Sequence, residues 1–60
     1  MENLPKVLLV SNAKTIYWHP LPLMCYQQDV FIIEKKNRTY VIRCGVWEDE
    51  IYLDQIREYV

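Results

Sequence analysis

The stretch DVFIIEKKNRTYVIRCG, residues 29–45, decides the fold, because it has the composition of two β-strands joined by a short basic turn. Val, Ile, Phe, Tyr and Thr dominate both halves, and these residue types favour strands. A two-residue or four-residue turn pairs Phe31 with Ile42 and Ile33 with Tyr40. Because side chains alternate between the two faces of a strand, one face of this hairpin is predicted to be wholly apolar: Phe31, Ile33, Tyr40, Ile42 and Cys44.

The opposite face of the hairpin is mixed, with Val30, Ile32 and Val41 at its centre among polar side chains. A chain of 60 residues buries only about 60% of the surface that its unfolded form exposes. An apolar patch left open on a small protein is typical of an interaction site. The sequence therefore predicts self-association, with a homodimer as the expected form.

Four strands are predicted in all. Residues 6–11 and 15–19 are rich in β-branched, aliphatic and aromatic side chains, and Pro20 ends the second of these segments. The hairpin supplies the other two strands, over 29–35 and 38–44. Together they predict a small antiparallel β-meander.

The tail after Trp47 allows two interpretations. As one helix from about Glu48, it places five apolar or aromatic residues on one stripe, as a core-facing helix requires. Ile51 then lies on the opposite side. The alternative is a short strand over 50–53, with Asp54 capping a final helical turn. We prefer the helix.

The predicted fold class is therefore α+β: about four strands in a meander, with a C-terminal α-helix packed on one face, in a single domain over residues 1–60. The hydrophobic fraction of 52% agrees with a folded chain rather than a disordered one. The predicted core consists of Val7, Leu9, Phe31, Ile33, Tyr40, Ile42, Ile56 and Tyr59.

Candidate chemistry is sparse. Cys25, Cys44 and His19 are the only soft metal ligands, and no pair of them has the tight spacing of a zinc site. We expect no metal, no cofactor and no enzymatic activity. Cys44 is predicted to be a buried reduced thiol, whereas Cys25 is predicted to be the more reactive one because it lies in irregular chain. A disulfide between the two is expected only in an exported protein.

The charges are unevenly distributed, although the net charge is only −1. Residues 1–47 carry a net +3 and residues 48–60 a net −4. Cations gather at the hairpin turn without offsetting acids apart from Glu34, and aromatic residues precede Pro20. Since interfaces favour Trp, Tyr and Arg, the predicted partner-binding residues are Lys35, Lys36, Arg38, Arg43, Tyr17 and Trp18.

The predicted function is a small non-enzymatic protein–protein interaction module, a regulator or inhibitor of the kind that phages and mobile elements encode. The alternative is a nucleic-acid-binding regulator that uses the basic hairpin over 35–43. An isoelectric point near 5.7 disfavours that alternative, because nucleic-acid-binding domains are usually basic. No segment approaches the ~20 apolar residues of a membrane helix, and no secretory signal is visible, so a cytoplasmic location is expected.

Overall fold

The computed structural model describes residues 4–60, and in that range it contains five β-strands and no α-helix. The predicted α+β class with a C-terminal helix is wrong. Short 3₁₀ turns at Leu23–Tyr26 and Leu53–Gln55 are the helical elements of this range. The strands are β1 (Lys6–Leu9), β2 (Val30–Lys35), β3 (Thr39–Cys44), β4 (Trp47–Tyr52) and β5 (Ile56–Tyr59).

The strands form one antiparallel sheet in the order β4-β3-β2-β1-β5. The outermost strands, β4 and β5, are joined only by the 3₁₀ turn Leu53–Gln55. In a flat sheet these two strands would lie about 19 Å apart, whereas a 3₁₀ connection of this length advances about 8 Å. The sheet must therefore curl. The edge-to-face contact of Tyr40 in β3 with Tyr59 in β5, at 6.4 Å between ring centroids, shows this curl.

The tail is extended because a strand, unlike a helix, gives Ile51 an inward position. In β4 the side chain of Ile51 is completely buried opposite Tyr40, while Glu48 and Glu50 project to the other face. Fully burying an isoleucine stabilises a protein by roughly 1.5–3 kcal/mol, which outweighs the favourable helix propensity of the neighbouring acids. The strand interpretation was closer to the structure, although it missed β5.

The predicted hairpin register is wrong by one position at Phe31 and Ile32 and by two positions beyond Ile33, where Glu34 lies opposite Val41. Phe31 lies opposite Arg43 and Ile32 opposite Ile42, and the register then shifts at a β-bulge around Ile33. A one-residue slip moves every side chain of a strand to the other face. Val30 and Ile32 are therefore buried in place of Phe31 and Ile33, whereas the inward face of β3 is as predicted.

The core lies on the concave face of the curled sheet, and the long connection between β1 and β2, residues 10–29, covers it. Among the predicted core residues, Val7, Leu9 and Ile42 are buried, but Tyr59 is 57% exposed. Ala13, Leu21 and Cys25 come from the covering connection. The full buried apolar set is Val7, Leu9, Ala13, Leu21, Cys25, Val30, Ile32, Ile42, Cys44 and Ile51.

Residues 15–19 do not form the predicted strand. They make a tight turn flanked by an isolated bridge between Lys14 and Pro20. The hydroxyl of buried Thr15 accepts hydrogen bonds from the backbone N–H groups of Tyr17 and His19, both at 3.2 Å. Such local bonds compete with the hydrogen bonds of a β-ladder, so strand-forming composition does not produce a strand here.

The first test of this fold is the Ile51→Ala substitution. A large-to-small change at a fully buried site costs roughly 2–5 kcal/mol, a large part of a small domain's stability. We expect urea unfolding to show that loss. Val46, 97% exposed in the turn between β3 and β4, provides the control, since Val46→Ala should change stability by under ~0.5 kcal/mol. A cost under about 1 kcal/mol for Ile51→Ala would contradict the inward position of this side chain.

Candidate partner-binding site

Thr15 organises the turn over residues 15–19, called here the aromatic turn. Its side chain is 2% exposed. Besides the two bonds to its hydroxyl, its N–H donates to the carbonyl of His19 at 2.8 Å and its carbonyl accepts from the N–H of Trp18 at 2.9 Å. Thr15 thus donates one hydrogen bond and accepts three, and these bonds fix the backbone of the turn.

The aromatic turn presents its two large rings to solvent. Tyr17 is 70% and Trp18 73% exposed. Trp18 also has φ +65°, a left-handed conformation that costs an L-residue roughly 1–2 kcal/mol and is an outlier for a bulky side chain. The left-handed backbone of Trp18 therefore lowers the stability of the fold, and its exposed ring gains no burial that would offset this cost. Strain of this kind concentrates at functional sites.

Glu50 in β4 connects the aromatic turn to the basic turn, residues 35–38. Its backbone carbonyl accepts a hydrogen bond from the N–H of Ile16 at 3.0 Å. Its carboxylate accepts one from the hydroxyl of Thr39 and lies 3.5 Å from the Lys36 ammonium. Two turns far apart in the chain are thereby attached to one residue at the edge of the sheet.

Through Glu50, the structure attaches to this edge the two turns that carry five of the six predicted partner-binding residues. Tyr17 and Trp18 follow Ile16, and the basic turn supplies Lys35, Lys36 and Arg38, all three exposed. Lys35 lies 5.7 Å from the ring centroid of Tyr40, within cation–π range. Arg43 is separate: it lies on the convex face, between Phe31 of β2 and Glu48 of β4.

Thr15 and Glu50 were missed by the sequence interpretation. Threonine hydroxyls bond to backbone N–H groups two residues on, so a turn signal for Thr15 was present before the two aromatic residues. Glu50 had no such local signal, because its role depends on the register of β4 against β3.

The electrostatics of the edge centre on Glu50. The hydrogen bond from Thr39, and then the charge of Lys36, lower the pKa of its carboxyl from the ordinary 4.5. The carboxylate is thus charged at neutral pH and offsets one of the cations of the basic turn. Lys35 and Arg38 make no ion pair among the described residues.

The two cysteines are both buried and both reduced, 4% exposed for Cys25 and 0% for Cys44. The Cys44 thiol donates to the carbonyl of Met24 at 3.3 Å, which places it beside Cys25. Burial, and then the neighbouring Cys44 thiol, raise the pKa of Cys25. The predicted buried state of Cys44 is confirmed, whereas the predicted accessibility of Cys25 is wrong, because the first 3₁₀ turn folds over the core.

Two open grooves mark the surface. The larger, about 550 Å³, runs between β1 and the first 3₁₀ turn and contains two charges of each sign, Lys6, Arg57, Asp29 and Glu58. The smaller, about 440 Å³, lies over Ala13 and Leu21. His19 lines neither groove. Over residues 4–60 no group of three or more His, Cys, Asp or Glu side chains is placed to hold a metal ion.

No helix within the described residues is long and apolar enough to cross a membrane. Comparison with known proteins adds no family to this geometry: no family model matches the chain, and neither a curated protein nor a solved structure does.

The role of Glu50 is tested by pH. Its folded pKa is lowered, so its stabilising effect should be complete above pH 4.5 and disappear as the pH falls through the folded pKa. We expect the difference in unfolding free energy between the wild type and Glu50→Gln to shrink between pH 7 and pH 3. Thr39→Val, which removes the main hydrogen-bond donor, should weaken the same dependence. Parallel profiles of the wild type and Glu50→Gln would contradict this account.

Burial of the thiols is tested by alkylation. Only the thiolate reacts readily, and both sulfurs are buried, so iodoacetamide should label the native protein slowly at Cys25 and at Cys44. A Ser11→Cys variant adds an exposed thiol as the control and should be labelled at that position at once. Rapid labelling of native Cys25 would show that the first 3₁₀ turn does not cover the core.

Proposed function

We propose that this protein is a small non-enzymatic protein–protein interaction module, a regulator or inhibitor of the kind that phages and mobile elements encode. Its binding surface is the edge formed by the aromatic turn and the basic turn. The location we propose is the cytoplasm, where buried thiols such as Cys25 and Cys44 stay reduced.

The exposed, strained Trp18 carries this proposal. A glycine at φ +65° would avoid the steric cost, and the side chain of Trp18 packs little against its own protein. A large aromatic ring held out by a rigid turn suits an interface anchor, since it offers much contact area and loses little conformational freedom on binding. Tyr17 is the second anchor.

The basic turn supplies the polar part of the same surface. Lys35 and Arg38 add positive charge to the basic turn, and the Glu50 carboxylate pairs with Lys36. Charges of this kind mainly accelerate association with a partner of opposite sign. An acidic patch next to an apolar pocket is the partner surface that this edge fits best.

The nucleic-acid alternative has weaker support. Lys36 is paired with Glu50, and Arg43 lies on the convex face opposite Glu48. These two acids reduce the number of cations that could contact phosphates. We therefore favour a protein partner.

The test is a Trp18→Gly variant measured against an identified target. A target captured from a lysate of the source organism is identified by mass spectrometry and purified, and its affinity is measured by surface plasmon resonance. Loss of a central anchor costs about 2 kcal/mol or more, so affinity should fall by about 30-fold. Stability should stay equal or rise by up to ~1 kcal/mol, because strain is relieved.

Two further variants complete this experiment. Changing Lys35, Lys36 and Arg38 together to Ser should slow association with little change in dissociation. Val46→Ser changes a still more exposed apolar side chain outside the edge and should bind as the wild type. Full affinity of Trp18→Gly would contradict the proposed surface. Capture of a nucleic acid instead would support the alternative, if the logarithm of its binding constant falls linearly with the logarithm of the salt concentration.

A further inference from the structure

A row of four side chains crosses the convex face of the sheet. Lys6 of β1 lies opposite Phe31 of β2, Phe31 opposite Arg43 of β3, and Arg43 opposite Glu48 of β4. Residues paired in this way project from the same face of an antiparallel sheet. Read across the strands, the row is cation, aromatic, cation, acid.

No other described part of the chain covers this face. The buried sheet residues belong to the concave face, and the connection over residues 10–29 packs there as well. Phe31, Val41 and Arg43 are each only partly buried, and Leu8 is 40% exposed. An apolar strip flanked by charges is thus open to a partner.

The row is complementary to itself. Consider a two-fold axis that lies in the interface, parallel to the strands and between β2 and β3. It places a second copy face to face with the first and reverses the order of the four residues. Lys6 then meets Glu48 of a second copy, and Phe31 meets Arg43 of that copy. The first contact joins opposite charges and the second sets a guanidinium on an aromatic ring, and symmetry repeats both contacts.

A small symmetric interface would need only a minor part of the surface of each copy. A specific contact buries at least about 1,000 Å² in total. Half of that area comes from each copy, or about one ninth of its accessible surface of 4394 Å². Because the face is convex, β2 and β3 approach their counterparts most closely, and the long side chains of Lys6 and Glu48 reach across the wider gap at the ends.

We propose that two copies of the chain associate through this face, with Lys6 of each copy paired to Glu48 of the other. The inference rests on the protein-interaction function proposed above and names the second copy as one partner. The aromatic turn is not part of this contact, so the dimer presents two aromatic turns, while the two basic turns, which join β2 to β3, lie side by side at the two-fold axis.

Charge reversal tests the pairing. Lys6→Glu sets two carboxylates against each other across the interface, and Glu48→Lys sets two ammonium groups against each other, in both cases twice in a symmetric dimer. We expect the wild type to sediment as a dimer at 500 µM and each variant to sediment as a monomer. In a heterodimer from an equimolar mixture of the two variants, one contact joins the introduced glutamate to the introduced lysine, and the other joins the native Lys6 to the native Glu48. Both contacts then join opposite charges, whereas each variant alone sets like charges against each other. A heterodimer should therefore form.

Two controls separate this pairing from general charge effects and from misfolding. Asp54→Lys makes the same charge change as Glu48→Lys but lies in the second 3₁₀ turn, and it should remain dimeric. The double variant Lys6→Glu with Glu48→Lys restores both contacts within one sequence and should dimerise again. Circular dichroism should give the wild-type spectrum for every variant, because Glu48 and Asp54 are exposed and the half-exposed Lys6–Asp29 pair, at 3.8 Å, contributes little.

Three results would overturn the inference: a wild type that is monomeric at 500 µM, single variants that dimerise as the wild type does, or a mixture that stays monomeric. None of these would contradict the proposed function, because Trp18→Gly tests the partner-binding edge separately.

Discussion

The closure of the sheet by β5 is the constraint on which the rest of the structure depends. β5 pairs with β1 through Val7–Tyr59 and Leu8–Glu58, yet only the turn Leu53–Gln55 separates it from β4 at the opposite edge. A sheet with its edges tied this closely has a concave and a convex face. The side chains on the concave face do not enclose a core by themselves, so the connection over residues 10–29 covers them and completes the core.

That covering connection explains how a chain without α-helix in its described part buries a core. Leu21, Cys25 and Ala13 are buried in the core, and the N–H of Ala13 donates to the Tyr26 hydroxyl at 2.9 Å. Thr15 then turns the chain outward. The same connection thus has two roles, since it completes the core on one side and displays Tyr17 and Trp18 on the other.

Much of the fold could be predicted from strand composition, but not its pairing. Three of the four predicted strands exist, and the inward residues of β3 were identified because Tyr40, Ile42 and Cys44 alternate without interruption. The bulge at Ile33 has no signature in the sequence and shifted the faces of β2. The prediction for the tail was wrong for another reason. Glu48 and Glu50 favour helix locally, and the strand is decided by pairing with β3, which a two-residue turn joins to β4.

The candidate site was partly accessible to the same reasoning. Exposed aromatics before a proline and cations at a hairpin turn predicted five residues of the edge, whereas Arg43 lies near the far end of β3 and does not reach it. The strain at Trp18 could not be predicted, since a backbone conformation is set by hydrogen bonds to Thr15 that composition does not reveal. That strain, together with the exposure of the ring, is why we propose Trp18 as an anchor.

The central claim is that the C-terminal segment is a strand paired with β1. Nuclear Overhauser contacts between backbone protons test it most directly in the wild-type protein in solution. We expect cross-strand contacts of Val7 with Tyr59 and of Leu8 with Glu58. Contacts typical of a helix, between residues three apart over 48–59, together with no contacts to β1, would contradict the pairing of β5 with β1.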